Sequence, residues 1–282
     1  EFKTWHREFA SDPVVESSGP ILAEASDRPT KPLSRDSYTL VRDLDELHKL
    51  LDKLTAEQRC ALEFHRNTTH PANAAIVGVA LASFDSGAWY VPVSHVTLDA
   101  VDQLTPQQAW SALGPFIRKH ASAITLPHSS SQSGIIHNLG VPGCVASFDP
   151  IVASYILNAD KYEHTLENIA LDTLDWALTD TASVLGTGKK KRSFSEVDLE
   201  RAKTWACDRV AATVALQDIQ QAALKEEGLD SLYATMELPL ASVLARMEVE
   251  GVAVDVAQLN KLSADFGNRA KKIEQECHDL AG

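Results

Sequence analysis

Residues 74–95, AAIVGVALASFDSGAWYVPVSH, limit what this chain can fold into more than any other stretch. Through Phe84 nearly every position is apolar or small, so neither face of a strand here is left for water. A strand of that composition sits inside a sheet whose two faces are covered. Asp85-Ser86-Gly87 is a turn signal, and apolar residues resume at Ala88. The stretch predicts a central hairpin in a sheet with helices packed on it.

The flanking sequence supplies those helices. YTLVRD (38–43) alternates like a short strand, and Asp43 is placed to cap a helix with its apolar stripe at Leu44, Leu47, Leu50, Leu51 and Leu54. CALEF (60–64) reads as a strand. A Thr-Pro start predicts a helix over 105–120. AITLPH (123–128) reads as a short strand, and 132–140 as a helix ended by Gly140. Further helices are expected over 149–159 behind Asp149, and over 165–174 with Thr165 and Asn168 in capping-box positions. Another spans 195–227, capped by Ser195 and stopped by Gly228. Residues 231–251 read as helical with a break near Pro239, and a turn at 252–255 leads into a last helix. The expected class is α/β, a mixed sheet flanked by helices. Residues 1–36, rich in Ser, Pro, Asp and Glu after a short aromatic piece, read as a hinge and linker. Residues 37–230 form the α/β domain, and 231–282 a helical segment that opens another.

Composition narrows the function. At 44% hydrophobic and 23% charged the chain is an ordinary globular one. No apolar run reaches the ~18–20 residues that span a bilayer, and EFKTWHREF at the start has no apolar signal core. No membrane partner is expected. The four cysteines are far apart, which argues against a structural zinc site and a disulfide framework and for a reducing cytoplasm. A net charge of −13 repels a polyanion. The one dense basic run is GKKKR (188–192); a solvated loop is its plainer reading, and a light contact with DNA through Lys189, Lys190, Lys191 and Arg192 its functional one.

Several stretches together resemble a known family. AAIVGVALASFDSGAWYVPVSH, GIIHNLGV followed by SFDPIVASYILNAD, HTLENIA and GTGKKKRSFSEVDLERAKTWACD are similar to successive segments of the 3′–5′ exonuclease domain of bacterial DNA polymerase I, a family A polymerase. That domain has a ribonuclease H-like fold. LYATMELPLASVLARMEVEGVAVD (232–255) resembles the opening of the family's polymerase domain. FKTWHREF is similar to the hinge after its 5′-nuclease region.

The resemblance implies a site to inspect. The family's exonuclease uses two divalent ions held by carboxylates, from an Asp-x-Glu at a strand end, an Asp before a helix, and a Tyr-x-x-x-Asp on a helix. Here the first motif falls on Glu63 and His65. The second falls on Gln132, with His128 at the preceding Asn. The third, running without a gap from Phe194, falls on Trp205 and Arg209. Four carboxylates become one carboxylate, an imidazole, an amide and a guanidinium. No catalytic residues and no metal are expected, and Arg209 is placed to neutralise Glu63.

What the resemblance then implies is a fragment of a DNA-directed DNA polymerase of replication and repair, whose exonuclease-like domain is structural and does not proofread. Mg²⁺ would serve the parent polymerase domain and no cofactor this fragment. Its partners would be DNA and the rest of the polymerase domain, in a monomer. Two other readings stand beside it. One is a divergent active exonuclease using Glu63, Asp149 and Asp208. Against it, Asp149 is placed to cap a helix, and Asp208 points about 100° away from the third-motif position around its helix. The other is a single-strand-binding module, which needs a basic groove with exposed aromatics; the acidic charge and 6% aromatic content oppose it. Zinc on Glu63, His65 and His128, and a hydrolase built on Ser129, Ser130 and Ser131, have still less support.

Overall fold

The computed structural model describes residues 33–57, 59–67, 75–100, 102–188 and 191–282. The opening aromatic piece and most of the expected linker lie outside the described residues. By contact the chain forms two units, one running through Val249 and the other from Glu250 to Gly282. The division falls later than the expected start of the helical segment at 231, because Tyr233, Leu238, Ala241 and Ala245 are buried in the first unit.

The first unit is built on five strands: β1 (Tyr38–Leu40), β2 (Cys60–Arg66), β3 (Ile76–Ser83), β4 (Gly87–Pro92) and β5 (Ile124–Thr125). Their order across the sheet is β1-β4-β3-β2-β5. β3 is central, antiparallel to both β2 and β4, as its apolar composition requires. β1 lies parallel to β4 and β5 parallel to β2. β5 is only two residues long, shorter than expected, because its backbone turns away at Leu126, which hydrogen-bonds Phe148.

The helices of this unit are α1 (Leu44–Glu57), α2 (Pro106–His120), α3 (Ser129–Asn138), α4 (Pro150–Leu157), α5 (Leu166–Leu174), α6 (Thr181–Leu185), α7 (Leu199–Glu226) and α8 (Leu238–Glu250). Asp43 caps α1 through the Glu46 N–H. Thr105 and Gln108 form a full capping box on α2. On α5 only half of the expected box is present: Thr165 takes the Asn168 N–H, and the Asn168 side chain turns to Glu163. The long helix begins later than expected. Asp198 caps it, while Ser193 and Glu196 cap a separate 3₁₀ turn at Phe194–Glu196, so Ser195 is not its cap. Near Pro239 the helical path does change: Tyr233–Glu237 is a π-helical turn that runs into α8. The second unit carries α9 (Val256–Ala281), capped by Asp255 and with no buried residue.

The two sheet faces differ in the size of their side chains. Leu62, Phe64, Val79, Leu81 and Val91 face the leucine stripe of α1 and the apolar side of α2. Ala61, Ala80, Ala82 and Ala88 face α7, where Ala202, Ala206 and Val210 meet them. Small residues on both surfaces let the helix and sheet approach closely. Residues 205 to 214 of α7 are buried without interruption, so that stretch is covered all round. Asp208 and Arg209 fall inside it, and burial obliges each to find a partner.

Candidate functional site

An open cleft of about 970 Å³ lies where the C-terminal end of β2 meets α3, the α4 start and the Ser193–Phe194 segment. Glu63, His65, Gln132 and Trp205, four of the five expected site positions, line it. The fifth, Arg209, approaches from α7.

Glu63 faces Arg209. The Arg209 Nε–H donates to both carboxylate oxygens, at 3.1 and 3.0 Å. Both side chains are almost sealed from water, 6% and 8% exposed. The Arg209 Nη1 donates in turn to Glu167 Oε1 at 2.7 Å. Glu167 is a third partner that the motif comparison did not supply; in the sequence it reads only as an acid in the first turn of a helix. Thr181 Oγ1 donates to Glu167, and the Trp205 Nε1–H donates to Thr181, so the tryptophan braces the same network. The guanidinium also sits 5.1 Å from the centre of the Trp205 ring. Burial alone would raise the Glu63 carboxyl and lower Arg209, yet their mutual attraction wins. Glu63 is held below the ordinary carboxylate range and Arg209 above its own.

His65 lies two residues along β2, opposite Gly78. Its ring packs among Phe194, Trp205 and Tyr90, with centroids 5.4, 5.1 and 6.2 Å away. Burial is the main reason its pKa falls to about 4; Glu63 pulls it up, while Arg209 and His95 push it down. It is therefore a neutral imidazole at neutral pH, and its Nε2 has no hydrogen-bond partner. Gly78 is required here by space: a β-carbon would come 2.0 Å from the Tyr90 hydroxyl, which is hydrogen-bonded to His95.

Gln132 is bonded to backbone. Its Oε1 accepts from the Phe64 N–H at 2.8 Å and its Nε2 donates to the Phe64 C=O at 3.3 Å. β5 pairs with β2 only at Cys60 and Ala61. The amide thus acts as a one-residue stand-in for a neighbouring strand. A carboxylate could accept but not donate and could not make this pair.

The acids of the divergent-exonuclease reading are also engaged. Asp149 caps α4 through the Ile151 N–H and takes the Ser129 N–H with its other oxygen. Burial raises its pKa against those bonds. Asp208 turns away to Arg35, Tyr38 and Thr179. Lys191 and Arg192 stand at the cleft rim beside Arg66; Lys189 and Lys190 lie outside the described residues.

These residues do not suit the two divalent ions that the family's chemistry implies. Glu63 is shared with a guanidinium, Gln132 is spent on backbone, and His65 faces aromatic rings. Among the described residues no cluster of three or more His, Cys, Asp or Glu is spaced to hold a metal ion, and no helix is long and apolar enough to cross a membrane.

The fold is that of the ribonuclease H-like exonucleases. Its solved neighbours include the catalytic core of RRP6 from Trypanosoma brucei (TM-score 0.53, 12% identity, 76% of this chain and 55% of that one) and NrnC from Brucella melitensis (TM-score 0.53, 14% identity, 72% and 92%). They also include the POL domain of Pol1 from M. smegmatis, solved with DNA primer-template and dNTP (TM-score 0.61, 20% identity, 83% and 36%). No protein-family model matches the sequence. Over most of its length the chain's curated relatives are bacterial DNA polymerase I. That of Pseudomonas aeruginosa is 25% identical across 100% of this chain, and that of Rhizobium leguminosarum 27% across 90%. The chain spans 31% and 26% of those two proteins.

Proposed function

We propose that this chain is the exonuclease-like part of a DNA polymerase I-type enzyme, and that its nuclease site does not catalyse. The observation that carries this reading is the Arg209 guanidinium bonded to both oxygens of Glu63. A two-metal phosphodiesterase needs several carboxylates turned toward a pair of dications. This site offers one, already neutralised. The domain then serves as a scaffold beside the polymerase region of the parent protein, a cytoplasmic monomer that uses Mg²⁺ in its polymerase domain to copy DNA. The chain itself neither proofreads nor extends a primer. Lys191 and Arg192 at the cleft rim support a weak contact with a DNA strand. Binding through them would weaken as salt rises.

The test is nucleotide release from end-labelled single-stranded DNA with Mg²⁺ or Mn²⁺, and primer extension with dNTPs. Neither product is expected. Release that disappears in Asp149→Asn or Asp208→Asn would instead establish the divergent exonuclease.

A further inference from the structure

Glu63 comes from β2 and Glu167 from the first turn of α5. Arg209 is seated between them, at 3.0 Å from Glu63 Oε2 and 2.7 Å from Glu167 Oε1. We infer that Glu63 and Glu167 form a cation site whose occupant is the protein's own guanidinium, and that without that side chain the two carboxylates take a free cation in its place. The inference rests on the non-catalytic reading and deepens it: the site has kept a cation, and has made that cation part of the chain.

Three features support this. First, the charges do not cancel inside the network. Two carboxylates face one guanidinium, so removing Arg209 leaves two negative charges with no cation between them. Second, the occupant lies behind a wall that favours cations of any origin. The Trp205 face is 5.1 Å from the guanidinium carbon and stays in place when Arg209 is shortened, because Trp205 is anchored on Thr181. Third, Glu63 is already largely dry: it is a strand residue 5% exposed, with its backbone fixed in β2 opposite Ala80. Glu167, with its side chain 32% exposed, gives a free ion its way in. His65 lies next along the strand face with an unpartnered Nε2. In the wild type, burial is the main reason it stays neutral.

The test is thermal unfolding of the whole chain, followed by circular dichroism, for wild type and Arg209→Ala. Each is titrated with MnCl₂, with methylguanidinium chloride, and with tetramethylammonium chloride at matched ionic strength. The wild-type midpoint should be the same in Mn²⁺ and in EDTA. Arg209→Ala should unfold about 10 °C lower. Millimolar Mn²⁺ or methylguanidinium should restore about half of that loss, and tetramethylammonium, which cannot donate hydrogen bonds, should not. Glu63→Gln in the Arg209→Ala background should regain stability and lose the response to added cation. If Arg209→Ala does not fold, Arg209→Gln takes the same titrations. Folding of either variant that depends on Mn²⁺ or methylguanidinium supports the inference. It is overturned if neither variant responds to those ions beyond the tetramethylammonium control, folded or not, or if Mn²⁺ stabilises the wild type. Nucleotide release by the wild type would overturn the non-catalytic reading instead, so the two failures are distinguishable.

Discussion

Asp208 and Arg209 are consecutive on α7, opposite in charge and both buried, yet they are kept in different ways. Asp208 receives five hydrogen bonds: two from Arg35, one from the Tyr38 hydroxyl, and two from Thr179 through its N–H and Oγ. Its cation, Arg35, is half-exposed, with 52% of its side chain open to water. Arg209 has two carboxylate partners, and the pair it makes with Glu63 is sealed on both sides. Asp208 is therefore redundantly served, mostly by neutral donors and with its counter-charge in solvent. Arg209 is served by charge alone, through two carboxylates, and its bond to Glu63 lies out of reach of water. A rotation of about 100° between adjacent helical residues separates a shared anchor from an isolated one.

The sharpest way to break that contrast is to remove Arg209. Arg209→Met should cost about 3–5 kcal/mol in urea unfolding, because Glu63 is left charged and buried. Glu63→Gln combined with Arg209→Met should recover most of it. A double-mutant cycle measures this, and additivity of the two losses would show that the pair is not coupled.

The pH dependence tests the same side of the helix. His65 has a folded pKa of about 4 against an ordinary 6.5. A buried neutral histidine stabilises fully above its unfolded pKa. That contribution fades as the pH falls from about 6.5 to about 4, and its total is about 3 kcal/mol. Glu63, with its pKa lowered, adds a further loss at more acid pH. Asp149, with its pKa raised, works in the opposite direction and offsets part of it. His65→Phe keeps the ring contacts and should flatten the stability profile between pH 6.5 and 4. An unchanged slope would assign the acid sensitivity elsewhere.

Two smaller effects probe the Asp208 side. Tyr38→Phe deletes one of five donors and should cost about 1 kcal/mol. Arg35→Met removes an exposed cation and should cost less than about 1 kcal/mol, with a dependence on salt. If Arg35→Met proved as damaging as Arg209→Met, the contrast between the two anchors would collapse.

Much of this was legible in the residues themselves. The central hairpin followed from the apolar run at 74–84, and the α2 and α4 starts from Thr105-Pro106 and Asp149-Pro150. The pairing of Glu63 with Arg209 followed from the resemblance, which places both at one site. Glu167 was not legible, because an acid in a helix's first turn is already explained by the helix dipole, and nothing local shows that the turn faces β2. Arg35 and Thr179 were hidden for a related reason: they meet Asp208 across 173 and 29 residues of chain. The late start of α7 was missed because Ser195 and Asp198 are both good caps, and only the 3₁₀ turn between them decides which one is used. Gln132 looked like a lost ligand; its two hydrogen bonds to the Phe64 backbone became visible only once β5 proved to be two residues long.

The alanine-lined face of the sheet has a consequence for how the chain is made. All five strands have been synthesised by Thr125, while α7, which covers that face, ends at Glu226. At about 5–20 residues per second, the ribosome needs roughly 5–20 s to deliver the missing cover. The leucine-rich face is better provided for: α1 and α2 both precede β5 in the chain. The face that must wait for α7 carries Ala61, Ala80, Ala82 and Ala88 beside Tyr38, Val77 and Tyr90. Its alanines offer less apolar area for another nascent chain to seize than the leucines and phenylalanine of the opposite face. The same small residues that let helix and sheet close tightly in the finished domain leave its unfinished form the less adhesive.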